Sequence, residues 1–374
     1  VNHKSICIIG AGPAGLAIAG RLSHLGWSDY VILESEHAVG SSWRRHYDRL
    51  HLHTVKQWSH LPHLPFPKDY PLYVSKQQLV DYLESYQQHF DLQLQYGVSA
   101  HLIKKQGDQW LVKTDKEDYL VDHAVIATGV NKVPRVPQWP GQESFRGNIV
   151  HTKYYKNPKP YLNKKVLVVG MGNTGAEVAL DLSEHGVKTY VSVRSPIAIV
   201  PRDLNGRPVQ VTAKMLAKIP FGLGDWLGSQ IRKVYFGNLE PYGLPISKVH
   251  PTVQLRETGK TPVVDIGTVD AIKNGHITVC PNIKSIGPNY VVTIENQEIE
   301  IDDILLATGY TAELKNLIPS VSNFLDKYDL PNSPIGEGTL SNLYFIGFDN
   351  YKVGGILGTI STDSKVIVDD ILKN

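Results

Sequence analysis

The tightest constraint on this chain is a strand that runs into a glycine loop and then into a helix. Ser5 to Ile9 is a short apolar run with the look of a buried strand. Gly10-Ala-Gly12-Pro13-Ala14-Gly15 follows, and Leu16, Ala19, Leu22 and Leu25 then recur at spacings of three, as on one face of a helix. This is the dinucleotide fingerprint in its required context. Gly10 permits the tight turn, Gly12 lets the backbone approach a pyrophosphate at the positive end of the helix, and Gly15 lets helix and strand pack closely. The next strand, Tyr30 to Leu33, ends at Glu34. An acid there accepts hydrogen bonds from ribose hydroxyls, which suits an unphosphorylated adenosine half.

The device returns. Lys165 to Val169 leads into Gly170-Met-Gly172-Asn173-Thr174-Gly175, and a helix runs on through Glu177, Val178, Leu180 and Leu182. Its second strand, Thr189 to Val193, is followed by Arg194 instead of an acid. An arginine fork suits a ribose 2′-phosphate, so the second loop reads as an NADP site. Two apolar strands open onto matching small-residue turns. One is AVIATG, with Thr128 and Gly129, and the other is ILLATG, with Thr308 and Gly309. A late strand, LYFIGF, carries Gly347 and is followed by Asp349.

Composition removes rival classes. Lys and Arg total 38 against 36 Asp and Glu, a net charge of +2, so no basic excess exists to neutralise a nucleic acid. With 374 residues, two or three domains are affordable. Glycine, at 32 residues, is about 9% against a usual ~7%. The first residues, VNHKSICIIG, do not have the layout of a signal peptide, and no apolar run is long enough to span a bilayer, so a cytoplasmic protein is expected. Cys7 and Cys280 are the only cysteines, which fits a reducing compartment.

The stretch from Phe145 through Gly147 and His151 to Tyr155 fits the pattern FxGxxxHxxxY, just ahead of the second glycine loop. With the segment from Tyr47 to Tyr86 and the block GKTPVVDIGTV that starts at Gly259, it makes the chain resemble the flavin-containing monooxygenases, in their YUCCA-like branch. The resemblance covers nearly the whole chain. It implies an α/β fold of two Rossmann-like dinucleotide-binding domains. The stretch 201–261, rich in Pro, Gly and aromatic residues, breaks the repeat and reads either as a substrate lid or as a helical pair burying ordinary core. The FAD domain would be discontinuous, residues 1–155 and 304–374, with an NADPH domain inserted at 156–303. It also implies an enzyme that carries FAD, uses NADPH and O2, forms a C4a-hydroperoxide on the flavin and transfers one oxygen atom to a small organic substrate. That substrate is either a soft nitrogen or sulfur nucleophile, or an α-keto acid such as indole-3-pyruvate.

By the same resemblance Gly40 and Trp43, in Gly40-Ser41-Ser42-Trp43, approach FAD, although the family often has a second glycine where Ser41 stands. Counting back from Lys56 places His53 beside the flavin, with His51 and His60 as alternatives, and His53, His151 and Lys56 are the candidate catalytic residues. His151 takes a linker role between the nucleotide sites, and Gly354, Gly355 and Thr359 form a flavin-edge loop. No metal is called for, and a homodimer is compatible with this reading. The two cysteines lie too far apart in sequence for a C-x-x-C relay, which excludes disulfide-reductase chemistry. A flavin reductase that releases peroxide, and a flavin-bound accessory protein without turnover, remain as alternatives.

Overall fold

The computed structural model describes residues 1–216, 219, 223–349, 351–352 and 355–373. Gly354, and Phe221 in the expected lid, lie outside them. The chain separates into two compact units. The first comprises 1–45, 54–133 and 310–374, and the second comprises 46–53 and 134–309.

The first unit is built on β1 (Asn2–Ile9), whose second half is buried completely. A continuous apolar run is what a parallel strand covered on both faces requires. Helix α1 (Pro13–His24) and β2 (Tyr30–Glu34) complete the first βαβ half. The run from Lys76 folds as α2 (Lys76–His89) because Ser75 and Gln78 form a reciprocal capping box. After it come β3 (Leu94–Tyr96), β4 (Ala100–Gln106), β5 (Gln109–Thr114) and β6 (Tyr119–Ile126). The sheet order is β3-β2-β1-β6-β5-β4, and the late strand Leu343–Phe345 pairs in parallel with the end of β6. The strands β4, β5 and β6 form an antiparallel meander, so the sheet is mixed. The closing helix Gly355–Ile371 packs on α1.

The second unit repeats the plan. Its sheet contains β7 (Asn148–His151), β8 (Lys165–Val169), β9 (Lys188–Ser192), a strand at Ile277–Cys280 and a strand at Asp303–Leu306, all paired in parallel. Helix α3 (Asn173–Glu184) crosses from β8 to β9. Its buried face (Ala176, Val178, Ala179, Leu180, Leu182) packs in the same core as the β8 and β9 valines. Between β9 and Ile277, the parallel pair β10 (Ile199–Pro201) and β11 (Val263–Asp265) brackets helices at Val209–Leu216, Leu223–Phe236 and Pro251–Thr258. The aromatic residues of this insert divide. Phe236 is buried in the core, whereas Trp226, Tyr235 and Tyr242 are exposed.

The expected crossings at 155/156 and 303/304 differ from the observed ones at 133/134 and 309/310. Strand pairing explains the shift. The signature strand β7 pairs with Asp303–Leu306, which pairs with β8, so both crossings are drawn into the second sheet. The strap 46–53 joins this unit through α3. Tyr47 Oη donates to Glu177 (2.6 Å), and Arg49 reaches Asp181 (3.4 Å) and Glu184 (2.6 Å). Among the described residues no helix is long and apolar enough to cross a membrane, and no His/Cys/Asp/Glu cluster is set to hold a metal ion.

Candidate active site

The two glycine loops are geometric copies. Gly10 has φ +109°, and a Cβ there would lie 2.6 Å from the Ala127 carbonyl oxygen; Gly170 has φ +100°, and its Cβ would lie 2.7 Å from that of Ala307. A Cβ on Gly15 would stand 1.9 Å from the Gly10 oxygen, and one on Gly175 would stand 2.0 Å from the Gly170 oxygen. These four positions exclude any side chain. Gly12 and Gly172 differ, because a Cβ on either meets nothing within 4 Å. Each is the N-cap of its helix, and neither helix has a side-chain cap, so first-turn N–H groups face open space at the positive helix end. That arrangement fits a pyrophosphate at both loops.

Beside the first loop, Glu34 is buried. Its carboxylate accepts from Ala11 N–H (2.8 Å) and Glu36 N–H (3.0 Å), which fixes the acid at the strand end. Pro13 and Ala14 are buried in the first turn of α1. Gly40, at φ +64°, donates its N–H to Ala11 O and starts the short helix carrying Trp43. Ser41, at the family's glycine position, turns its hydroxyl to Ala38 O (2.6 Å), so the tight turn survives the replacement. Thr128 Oγ1 is buried and has no protein partner. An orphaned hydroxyl beside an open glycine loop is what a polar ligand such as FAD would satisfy. Gly129 and Gly347 both have positive φ, and a Cβ on Gly347 would meet Ala14 at 3.1 Å. Asp349 is already engaged, accepting from Tyr351 N–H (2.9 Å) and pairing with Lys352 (2.7 Å). Gly355 (φ +77°) abuts Thr54, and Thr359 returns its hydroxyl to the Gly355 carbonyl.

The second loop opens on a cleft of about 600 Å³ lined by Gly170, Gly172, Arg194 and Thr308. Arg135, Ser192, Ser195 and Asn282 also line it. Arg135 and Asn282 escaped the sequence reading because they come from separate chain segments, whereas Ser192 and Ser195 flank Arg194 and so carried a local signal. Arg194 and Arg135 are exposed cations at this rim, a donor set that fits NADPH phosphates. Thr308 donates its hydroxyl to Arg135 O, which ties the linker across the loop. Asn173, read from sequence as a cofactor ligand, turns its side chain instead to Val264 N–H (2.7 Å) and Pro262 O (3.1 Å). Thr174 follows it on the first turn of α3.

The signature residues hold this unit together. A Cβ on Gly147 would lie 1.7 Å from Asp302 O, so only glycine lets β7 approach. His151 is buried; Nε2 lies 3.1 Å from the Gly309 carbonyl and Nδ1 accepts from Lys153 N–H (3.0 Å). That pattern places the proton on Nε2. Burial, with a smaller push from Lys153, lowers its pKa against the Gly309 hydrogen bond. Tyr155 is fully buried and donates to Asp181 (2.6 Å).

Of the three candidate histidines, His51 and His60 bond backbone carbonyls at 2.7 and 2.9 Å. His53 Nε2 is buried without a hydrogen bond, 3.4 Å from the Glu177 carboxylate. It is thus grouped with α3 of the second unit. Lys56 spends its ammonium on the carbonyls of Lys68 and Tyr70, which is a loop-holding task. Cys7 and Cys280 are buried strand residues of separate sheets. Burial raises both thiols, Cys280 to about 12, so neither is a ready thiolate.

Two dinucleotide loops, each between parallel strands of its own sheet, one beside an acid and one beside arginines, define a flavoprotein of the pyridine nucleotide type. Residues 7–205 match the family described as pyridine nucleotide-disulphide oxidoreductase. The chain is 35% identical over 382 residues to the probable indole-3-pyruvate monooxygenase YUCCA7 of Arabidopsis thaliana, covering 98% of this chain and 87% of that protein. Among solved structures, a flavin-containing monooxygenase from Stenotrophomonas maltophilia superposes with a TM-score of 0.75 at 18% identity, covering 100% of this chain and 99% of that one. Cyclohexanone monooxygenase from Rhodococcus sp. Phi1 bound to NADP+ does so with a TM-score of 0.75 at 18% identity, covering 100% and 84%. This chain belongs to the flavin-containing monooxygenases, in their YUCCA branch. It is an enzyme that uses FAD and NADPH, and the flavin-reductase and accessory-protein readings are not favoured.

Proposed function

We propose that this enzyme decarboxylates an aryl α-keto acid of the indole-3-pyruvate type by inserting one atom of O2. The balance is R–CO–COOH + NADPH + H+ + O2 → R–COOH + CO2 + NADP+ + H2O. The supporting observation is the full-length relationship to proteins named for that reaction. The reduced flavin, when bound, supplies the O2 activation.

The chain's own residues supply the binding and the shaping. FAD is assigned to the first unit, with its pyrophosphate at Gly10, Gly12 and Gly15, its adenosine ribose at Glu34, and Gly40, Trp43, Thr128, Gly129, Gly347 and Gly355 around it. NADPH is assigned to the second unit, with its pyrophosphate at Gly170, Gly172, Thr174 and Gly175, and its 2′-phosphate at Arg194. Arg135 adds a second cation on the same rim. His53 is the residue we place closest to proton handling, since its buried Nε2 faces a carboxylate without being consumed by a hydrogen bond. His151 and Lys56 are assigned positioning roles, because their polar atoms are held by backbone. A cytoplasmic location agrees with two free, buried thiols.

The test is product analysis with NADPH and O2 over a panel of keto acids, ketones, amines and sulfides. The expected result is one carboxylic acid and one CO2 per NADPH with the keto acid. Stoichiometric hydrogen peroxide with every compound would overturn the proposal. An N-oxide or sulfoxide as the main product would replace the substrate class.

A further inference from the structure

The GKTPVVDIGTV block is the most specific motif of the chain that the fingerprint leaves unexplained. The structure lays it along α3. Asn173, the first residue of that helix, presents its amide edge-on to the block. Oδ1 accepts from Val264 N–H at 2.7 Å, Nδ2 donates to Pro262 O at 3.1 Å, and Thr261 Oγ1 lies 3.5 Å from the same nitrogen. The two backbone groups flank Val263. A carboxamide bonded in this way does what a residue of a neighbouring parallel strand does, with a side chain standing in for a peptide group. On its other edge, β11 pairs with β10. One helical turn along, Thr268 Oγ1 donates to Ala176 O (3.0 Å), a second tie between block and helix.

The first loop shows what the clamp is for. At the matching position of α1 stands Pro13, whose ring fixes φ and holds the first helical residue without any tie. Asn173 has no such internal restraint, and its helix has no side-chain cap. We propose that Asn173 is a positioning residue. Its amide anchors the start of α3 to residues 261–264, so that the backbone donors of the second glycine loop stay aimed at the NADPH pyrophosphate. The proposal rests on the reading that this loop binds NADPH. It reassigns the Asn173 side chain from ligand contact to loop support, and it gives the GKTP stretch a task.

The experiment uses the FAD-loaded enzyme with NADP+ and NAD+ as probes. Asn173→Ala is expected to fold and keep FAD, since the Thr268 tie and the β10–β11 pairing remain. Exchange of the Val264 amide should accelerate about tenfold or more before any nucleotide is added. The Kd values for NADP+ and NAD+ should rise together, roughly tenfold, because the tie serves the pyrophosphate loop and not the 2′-phosphate. Asn173→Asp keeps an acceptor for Val264 and loses the donor to Pro262, so it should restore the Val264 protection. An affinity loss with wild-type Val264 exchange would make Asn173 a direct ligand and overturn the proposal. Lost protection with unchanged affinity would overturn it as well. A wild-type enzyme that binds no NADP+ would instead show that the NADPH assignment of the loop is at fault.

Discussion

Both glycine loops turn on the same backbone contacts, but the atoms beside them are different. At the first, Glu34 is buried and accepts from the loop at Ala11 N–H, so the acid supports the turn. At the second, Arg194 and Arg135 are exposed and rim an open cleft. The ATG turns contrast in the same way. Thr128 Oγ1 is buried with no protein partner, whereas Thr308 Oγ1 donates to Arg135 O and the Gly309 carbonyl accepts from Arg135 N–H and faces His151. A resident cofactor and an exchanging one make different demands. The first site leaves a buried donor for its ligand to satisfy, while the second satisfies its own backbone and keeps its charges at the surface.

The largest effects should come from filling the two open glycine positions. Gly12→Val is expected to give a folded, colourless protein, since the new side chain occupies only the space of the FAD pyrophosphate. Gly172→Val should give a yellow protein whose NADPH oxidation is lost. Flavin absorbance and NADP+ titration check both. A yellow Gly12→Val protein, or a colourless Gly172→Val protein, would break the assignment of cofactors to loops. Arg194→Ala comes next, with an expected ten- to hundredfold rise in KM for NADPH and little change for NADH, about the worth of a bidentate phosphate contact. Equal effects on the two nucleotides would move the 2′-phosphate elsewhere, Arg135 being the first place to look. Glu34→Ala removes the acceptor for Ala11 and Glu36 amides, and should weaken FAD retention by roughly tenfold in a dilution assay. Unchanged retention would reduce Glu34 to a local turn residue.

These differences were unevenly legible in the sequence. The loops, the strand-end residues Glu34 and Arg194, and the need for Gly147 follow from local backbone geometry, which a short motif encodes. Motif position makes Lys56 a catalytic candidate and Asn173 and Asp349 cofactor-binding candidates. The Lys56 ammonium bonds the Tyr70 carbonyl and the Asn173 amide bonds Val264, partners outside either motif, while Asp349 pairs with Lys352 three residues on. The strap 46–53 was unreadable for the same reason, since it joins the second unit through Glu177 and Asp181, more than a hundred residues on. Arg135 and Asn282 enter the cleft from distant loops, and only the folded chain brings them to one rim.

The smallest expected effect concerns the histidine that distinguishes the two ATG turns. His151 is buried, and its pKa is held below the ordinary value of 6.5, chiefly by burial. In the unfolded chain it would titrate near that ordinary value, so between the two values the unfolded state binds more protons. Stability should therefore be complete above about pH 6.5 and decline as pH falls through the lower, folded value. Protonation of Nδ1 would also remove the acceptor for Lys153 N–H. His123, lowered by burial in the first unit, contributes in the same direction. His151→Gln should flatten the acid side of a Tm-against-pH curve by a few degrees, at the cost of a lower Tm at neutral pH. His123→Gln should flatten it independently, since that residue lies on the other sheet. If the His151→Gln curve runs parallel to wild type between about pH 7.5 and 5.5, the imidazole at the second turn carries no proton-linked stability. The contrast between the turns would then rest on Thr128 and Thr308 alone.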